Sequence, residues 1–271
     1  MIVITGATGN VGRPLVQVLA DAGEAVTAVS RRPADMPTGV RHVQANLSEP
    51  STLQPTLEGA DAVFLLTAAE FLADGNMKEV MEVVTAAGVE RVVLLSSQGV
   101  GTQRHPSDIE DAVTQSGVGW TMLRPGNFAS NAFQWAESIR TQRSMAAPFA
   151  DVALPAVDPE DIAAVAAAAL RSDHAGNIYT LTGPAAISPR QQAAVIGEVL
   201  GEPVRFDELT RDEARTRMLT YMPEPVVEAT LGALGTPSPA EQQVSPDVEQ
   251  VLGKQPQTFA DWVARNLTAF R

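Results

Sequence analysis

Residues 6–12 read Gly-Ala-Thr-Gly-Asn-Val-Gly, directly after the apolar run 2–4 and directly before a stretch, 13–22, with helical character. A strand that must turn at once into a helix needs backbone freedom. Gly6 and Gly9 let the main chain pass close to a pyrophosphate, and Gly12 lets the helix pack closely on the strand. The amides at the start of such a helix attract phosphate, and Pro14, in its first turn, gives up no needed donor. Thr8, Asn10 and Val11 belong to the same cradle. The chemistry of this spacing is dinucleotide binding. A glycine triplet alone is weak evidence, and the strand before it and the helix after it give it weight.

The next question is which dinucleotide. Sites for NAD place a carboxylate about 20 residues beyond the loop, at the end of the second strand, to accept from the ribose 2′-hydroxyl. Here that position reads Ser30-Arg31-Arg32; Asp35 lies beyond Pro33 and Glu24 precedes the strand. Two guanidinium groups suit a 2′-phosphate, so NADP(H) is preferred over NAD(H). The plain alternative is that either arginine is a solvated loop residue. Further contacts are expected where parallel strands end: Asn46 and Leu47 after the third strand, Thr67 and Ala68 after the fourth, and Ser96, Ser97 and Gln98 after the fifth. Serines at strand ends also form ordinary turns.

The elements that must position these residues follow from the pattern. Strands are predicted at 25–30, 40–44, 62–66, 91–95 and 120–123, with helical stretches between most of them. In 76–87, Met77, Val80, Met81 and Val84 form an i, i+3, i+4, i+7 stripe that stops at Gly88. A helix is also predicted over 106–116. Alternation at this spacing specifies an α/β fold, a Rossmann-type doubly wound parallel sheet. Beyond Pro125 the alternation loosens. Asp158-Pro159-Glu160-Asp161 is a helix start leading into an alanine-rich helix to about 170. A strand is predicted at 177–181, a helix at 188–200, a short strand at 204–206, and helices at 212–220, 224–234 and 258–270. Residues 1–125 thus form the nucleotide-binding core. Residues 126–271 form a mixed region with a fuzzy boundary that adds to the sheet and builds a smaller substrate-binding lobe.

Composition excludes several functions. The chain has 32 acidic and 19 basic residues, a net charge of −13 that would repel a nucleic-acid backbone. No run approaches the roughly 18 apolar residues of a membrane helix. The first apolar run lacks a basic segment before it, which disfavours a signal peptide, and with no cysteine the chain suits a cytoplasmic setting. His42, His105 and His174 are scattered without ligand spacing, so no metal is expected. No Gly-x-Ser-x-Gly elbow is present for acyl transfer. The acidic runs 108–111 and 207–213 read as solvated helix starts or faces.

Three segments, Gly-Ala-Thr-Gly-Asn-Val-Gly at 6–12, Leu-Ser-Ser at 95–97 and Ser-Gly-Val-Gly-Trp-Thr-Met-Leu-Arg-Pro-Gly-Asn-Phe at 116–128, resemble the NmrA-like branch of the atypical short-chain dehydrogenase/reductases. The likeness extends over nearly the whole chain, through Asp158-Pro159-Glu160-Asp161-Ile162 and Tyr179-Thr180-Leu181-Thr182-Gly183, and is nearest to the type 2 NAD(P)H:quinone oxidoreductases. Other members of the superfamily use a Tyr-x-x-x-Lys dyad as proton donor. Here Tyr179 and Tyr221 are followed four residues later by Gly183 and Pro225, and the only lysines are Lys78 and Lys254.

The resemblance therefore implies a reductase that works without that dyad, passing hydride from NADPH to a quinone or similar conjugated, aromatic small molecule. Reduction of this kind leaves a stabilised anion, and the protein supplies mainly proximity and a dry slot. Candidates around the slot are Gln98, His105, Asn127, Phe128, Asn131, Phe133, Trp135 and Phe149. His105 and Asn127 are the catalytic candidates, imidazole being a side chain suited to proton transfer at neutral pH. The bland readings are a loop histidine beside Pro106, a helix-capping asparagine, and aromatics that pack the lobe. Two further functions stay open: a nucleotide-sensing regulator without turnover, and a tailoring reductase or dehydratase of polycyclic metabolites. The likeness is also compatible with a homodimer.

Overall fold

The computed structural model describes residues 1–271, the side chain of Ala69 excepted. The chain divides into two compact units. One comprises residues 1–125, 159–181 and 246–254; the other comprises 126–158, 182–245 and 255–271.

The first unit is built on Ile2–Ile4 (β1), Val26–Ser30 (β2), Arg41–Gln44 (β3), Ala62–Leu66 (β4), Arg91–Leu95 (β5), Gly119–Pro125 (β6) and Ile178–Leu181 (β7). All seven pair in parallel, in the order β3-β2-β1-β4-β5-β6-β7. The central strands are dominated by Val, Ile, Leu, Phe and Ala and are largely buried on both faces, as a sheet with helices on either side requires. Edge strand β3 is the polar, half-exposed Arg-His-Val-Gln. The first six strands have the doubly wound order in which ligands bind outside the carboxyl edge, where the strand order reverses.

Helix Gly12–Asp21 buries Leu15, Val16 and Leu19, and helix Met77–Ala86 buries Met77, Val80, Met81 and Val84, the predicted stripe. Asn76 caps the second of these by accepting from the Lys78 amide at 3.1 Å. Alanine-rich Pro159–Arg171 packs on helix Gly12–Asp21 and on β4, β5 and β6; its small side chains let most of the helix be buried there.

In the second unit, Ser144–Pro148 pairs in parallel with Arg205–Leu209, and Leu154–Pro155 pairs antiparallel with Ala186–Ile187. Its main core gathers Ile139, Met145, Ile196, Phe259, Trp262, Val263 and Phe270. Two sequence expectations need correction. The acidic run 207–213 is not one helix start: Asp207 to Leu209 continue a strand, and the helix Arg211–Met218 is capped by Thr210 in a box with Glu213. In the run 108–111, Glu110 is not solvated; it is only 6% exposed.

Candidate functional site

The glycine loop is shaped by contacts that a side chain would prevent. Gly6 has φ +64°, and its carbonyl accepts from the Gly9 amide at 3.0 Å. A Cβ on Gly12 would lie 2.1 Å from the Gly6 carbonyl oxygen, so loop and helix touch backbone to backbone. Thr5 pins the loop from below, accepting from the Leu66 amide and donating to the Phe64 carbonyl, both at 2.9 Å. Ala7, Val11 and Gly12 are buried, whereas Thr8, Gly9 and Asn10 form the exposed tip. A cradle closed by glycine contacts and open at its tip fits a pyrophosphate.

The other nominated cofactor residues follow carboxyl ends of parallel strands, and the register sets those ends side by side on one edge of the sheet. Beyond β2, Ser30 donates to the Arg32 carbonyl at 2.6 Å and bonds the His42 ring at 2.8 Å, while Gln44 donates to the Arg31 carbonyl at 3.3 Å. The backbone beneath both arginines is therefore held, and their side chains are exposed. Arg31 meets Glu70 at 3.0 Å. Asn46 forms an Asx turn, accepting from the Ser48 amide, and its own amide is held by Thr52. Thr67 and Ala68 are half-buried between β4 and the helix Ala69–Asp74.

Beyond β5, Ser97 caps the short helix Gln98–Gly101, accepting from the Gly99 amide at 3.0 Å. The same hydroxyl lies 3.1 Å from Nδ1 of His105. That ring rests on Gly99, where an added Cβ would come within 2.5 Å of Nδ1, and the His105 amide donates to the Gly99 carbonyl. The structure thus joins a nominated cofactor residue to a nominated catalytic one. Behind them, Ser96 donates to Glu110, whose carboxylate receives Arg124 through Nε at 2.9 Å and Nη2 at 2.5 Å. This bidentate pair was missed at the sequence level; Glu110 holds the Arg124 guanidinium still further from giving up a proton.

In the second unit, Asn127 accepts from the Asn131 side chain at 2.9 Å, and its carbonyl receives the Val157 amide. Phe128 is half-buried and bridges to Val157. Phe133 stacks on Phe270 and meets Trp262 edge-on, Trp135 donates to the Ala146 carbonyl at 3.0 Å, and Phe149 packs against Gly235. Those three are thus engaged in packing. A largely apolar cavity of about 400 Å³ in this unit is lined by Ala156, Ile187, Val195 and Phe259, among others, and by none of the nominated residues. Among the described residues, no three His, Asp or Glu gather as a metal site and no helix is long and apolar enough to cross a membrane.

Comparison with known proteins extends these observations. A family model described as NAD(P)H-binding matches residues 6–173. The chain is 40% identical over 282 residues to a (4-alkanoyl-5-oxo-2,5-dihydrofuran-3-yl)methyl phosphate reductase of Streptomyces griseus, across 100% of this chain and 99% of that protein. It is 32% identical over 289 residues to an NAD(P)H azoreductase of Xenophilus azovorans, with the same coverage. The NADPH-dependent quinone oxidoreductase QOR2 of Escherichia coli, solved with NADPH, matches with a TM-score of 0.83 at 22% identity, across 98% of this chain and 100% of that one. At that identity the likeness is one of fold.

Proposed function

From the premise that this chain belongs to the NAD(P)H-binding family and is an NAD(P)H-dependent reductase, we propose that it passes hydride from NADPH to a conjugated, electron-poor small molecule, a quinone or an acyl-substituted unsaturated lactone. The two acceptor classes share one chemistry: hydride adds to an electron-poor conjugated system, charge collects on a carbonyl oxygen, and a proton neutralises it. Bound at the glycine cradle, NADPH supplies the hydride.

The observation that carries this reading is the Ser97–His105 hydrogen bond at the carboxyl end of β5. It supports His105 as an oriented proton donor in a sequence without a Tyr-x-x-x-Lys motif. The glycine loop holds the pyrophosphate, Arg31 and Arg32 take a 2′-phosphate, Ser97 orients His105, and His105 delivers the proton. The Streptomyces griseus relative, a reductase of an alkanoyl dihydrofuranone, supports the conjugated-lactone half of the proposal.

The test is a turnover assay with purified protein, following nicotinamide absorbance over benzoquinones, naphthoquinones and 2-acyl-butenolides with and without a phosphate arm, NADPH against NADH. Saturable turnover with either acceptor class, reduced in His105→Ala, is expected. Tight NADPH binding with no turnover on any acceptor would overturn the reading in favour of a nucleotide sensor.

A further inference from the structure

A carboxylate stands beside Arg31, and it does not come from the end of β2. Glu70 follows β4 rather than β2, and its Oε1 lies 3.0 Å from Nη1 of Arg31. Arg31 cannot leave with its backbone, because Gln44 and Ser30 hold the turn that carries it. Both side chains are open to solvent, Arg31 at 58% and Glu70 at 69%, so a ligand can reach either and part them. Glu70 is kept below the usual carboxylate range, first by its own backbone amide and then by Arg31, and so is ionised at neutral pH.

We propose that Glu70 determines cofactor specificity: it is the resident counter-anion of Arg31 and competes with the ribose 2′-phosphate for it. The inference rests on the reading that Arg31 and Arg32 receive that phosphate. With Glu70 present, the local charge facing the phosphate is one positive unit instead of two. One of the Arg31 donors is already engaged, and a phosphate approaching the others meets a like charge within reach of the same guanidinium. NADH carries no 2′-phosphate and is indifferent to this competition. The consequence is a chain that discriminates between NADPH and NADH less sharply than its two adjacent arginines suggest.

The test measures dissociation constants for NADPH and NADH by titration of the full chain, for wild type, Glu70→Gln, Glu70→Ala, Arg31→Ala and the Glu70→Gln/Arg31→Ala double variant. Removing an exposed competitor of this kind is expected to tighten NADPH by roughly two- to fivefold, to leave NADH unchanged, and to lose its effect when Arg31 is absent. If Arg31→Ala weakens NADPH selectively but neither Glu70 variant tightens it, the competition is refuted while the arginine site stands. The same holds if Glu70→Gln tightens NADPH equally in the Arg31→Ala background, which would make its effect one of general charge. If Arg31→Ala does not weaken NADPH relative to NADH, the phosphate site itself fails and the proposal falls with it.

Discussion

Replacing Glu110 by alanine tests whether the carboxyl edge of the sheet is held by charge or only by packing. The Glu110 side chain is 8% exposed and that of Arg124 20%, and they are joined by two hydrogen bonds, with Ser96 as a third partner. Removing one member of a buried pair costs about 3–5 kcal/mol, because the other charge is left uncompensated. Water can reach a fifth of Arg124, which sets the expectation at the low end, about 3 kcal/mol, with up to about 1 kcal/mol more if the Ser96 hydroxyl finds no new acceptor. Urea unfolding followed by circular dichroism measures the loss. A second variant separates charge from shape: Glu110→Leu with Arg124→Met removes both charges at similar volume and is expected to be more stable than Glu110→Ala, since apolar replacements of a whole buried pair are often neutral or better. A loss below about 1 kcal/mol in Glu110→Ala would mean the pair is screened like a surface bridge and holds nothing. A double variant as unstable as the sum of Glu110→Leu and Arg124→Met measured singly would show the two residues to be uncoupled.

Gly99→Ala is expected to fold normally but to push the exposed His105 ring off Ser97, since the new Cβ would lie 2.5 Å from Nδ1; turnover should fall in the direction of His105→Ala, for which a loss of about a hundredfold in kcat is expected of a general acid. Gly12→Ala should abolish measurable NADPH binding and lower the melting temperature, because its Cβ would meet backbone at 2.1 Å and nothing there can swing aside. Acid should attack the helix caps: Thr210 holds Glu213, and Thr258 holds Asp261, below the usual carboxylate range in the folded chain. Lowered folded-state values mean that this stabilisation is present above the ordinary carboxylate pKa and is lost as pH falls through the lowered one. Glu213→Gln and Asp261→Asn should therefore flatten the acid limb of a stability–pH profile, and an unchanged limb would show that the caps contribute nothing.

The parallel sheet was legible because its signals are local. Strands β4 and β5 are apolar runs bounded by polar or turn residues, and helix Met77–Ala86 carries its stripe within a single window. The glycine loop was legible for the same reason: strand, loop and helix are contiguous. The strand Ser144–Pro148 was not, because Ser-Met-Ala-Ala-Pro has neither β-branched residues nor alternation, and its partner lies near residue 205. The box Thr210-x-x-Glu213 was a usable signal, obscured by reading the acids at 207–213 as one run.

What remained hidden is of one kind. Glu110 sits in an acidic run that looks solvated, and only Arg124 and Ser96, each 14 residues away, draw it inward. Glu70 lies after a different strand from the arginine it neutralises. In a doubly wound sheet every crossover returns the chain to the same edge, so residues from distant windows become neighbours there. The edge that collects ligand contacts therefore also collects the charges that oppose or support them. Along the chain Arg31 and Arg32 stand together at the end of β2 with no carboxylate beside them, whereas the fold sets Glu70, from beyond β4, against Arg31.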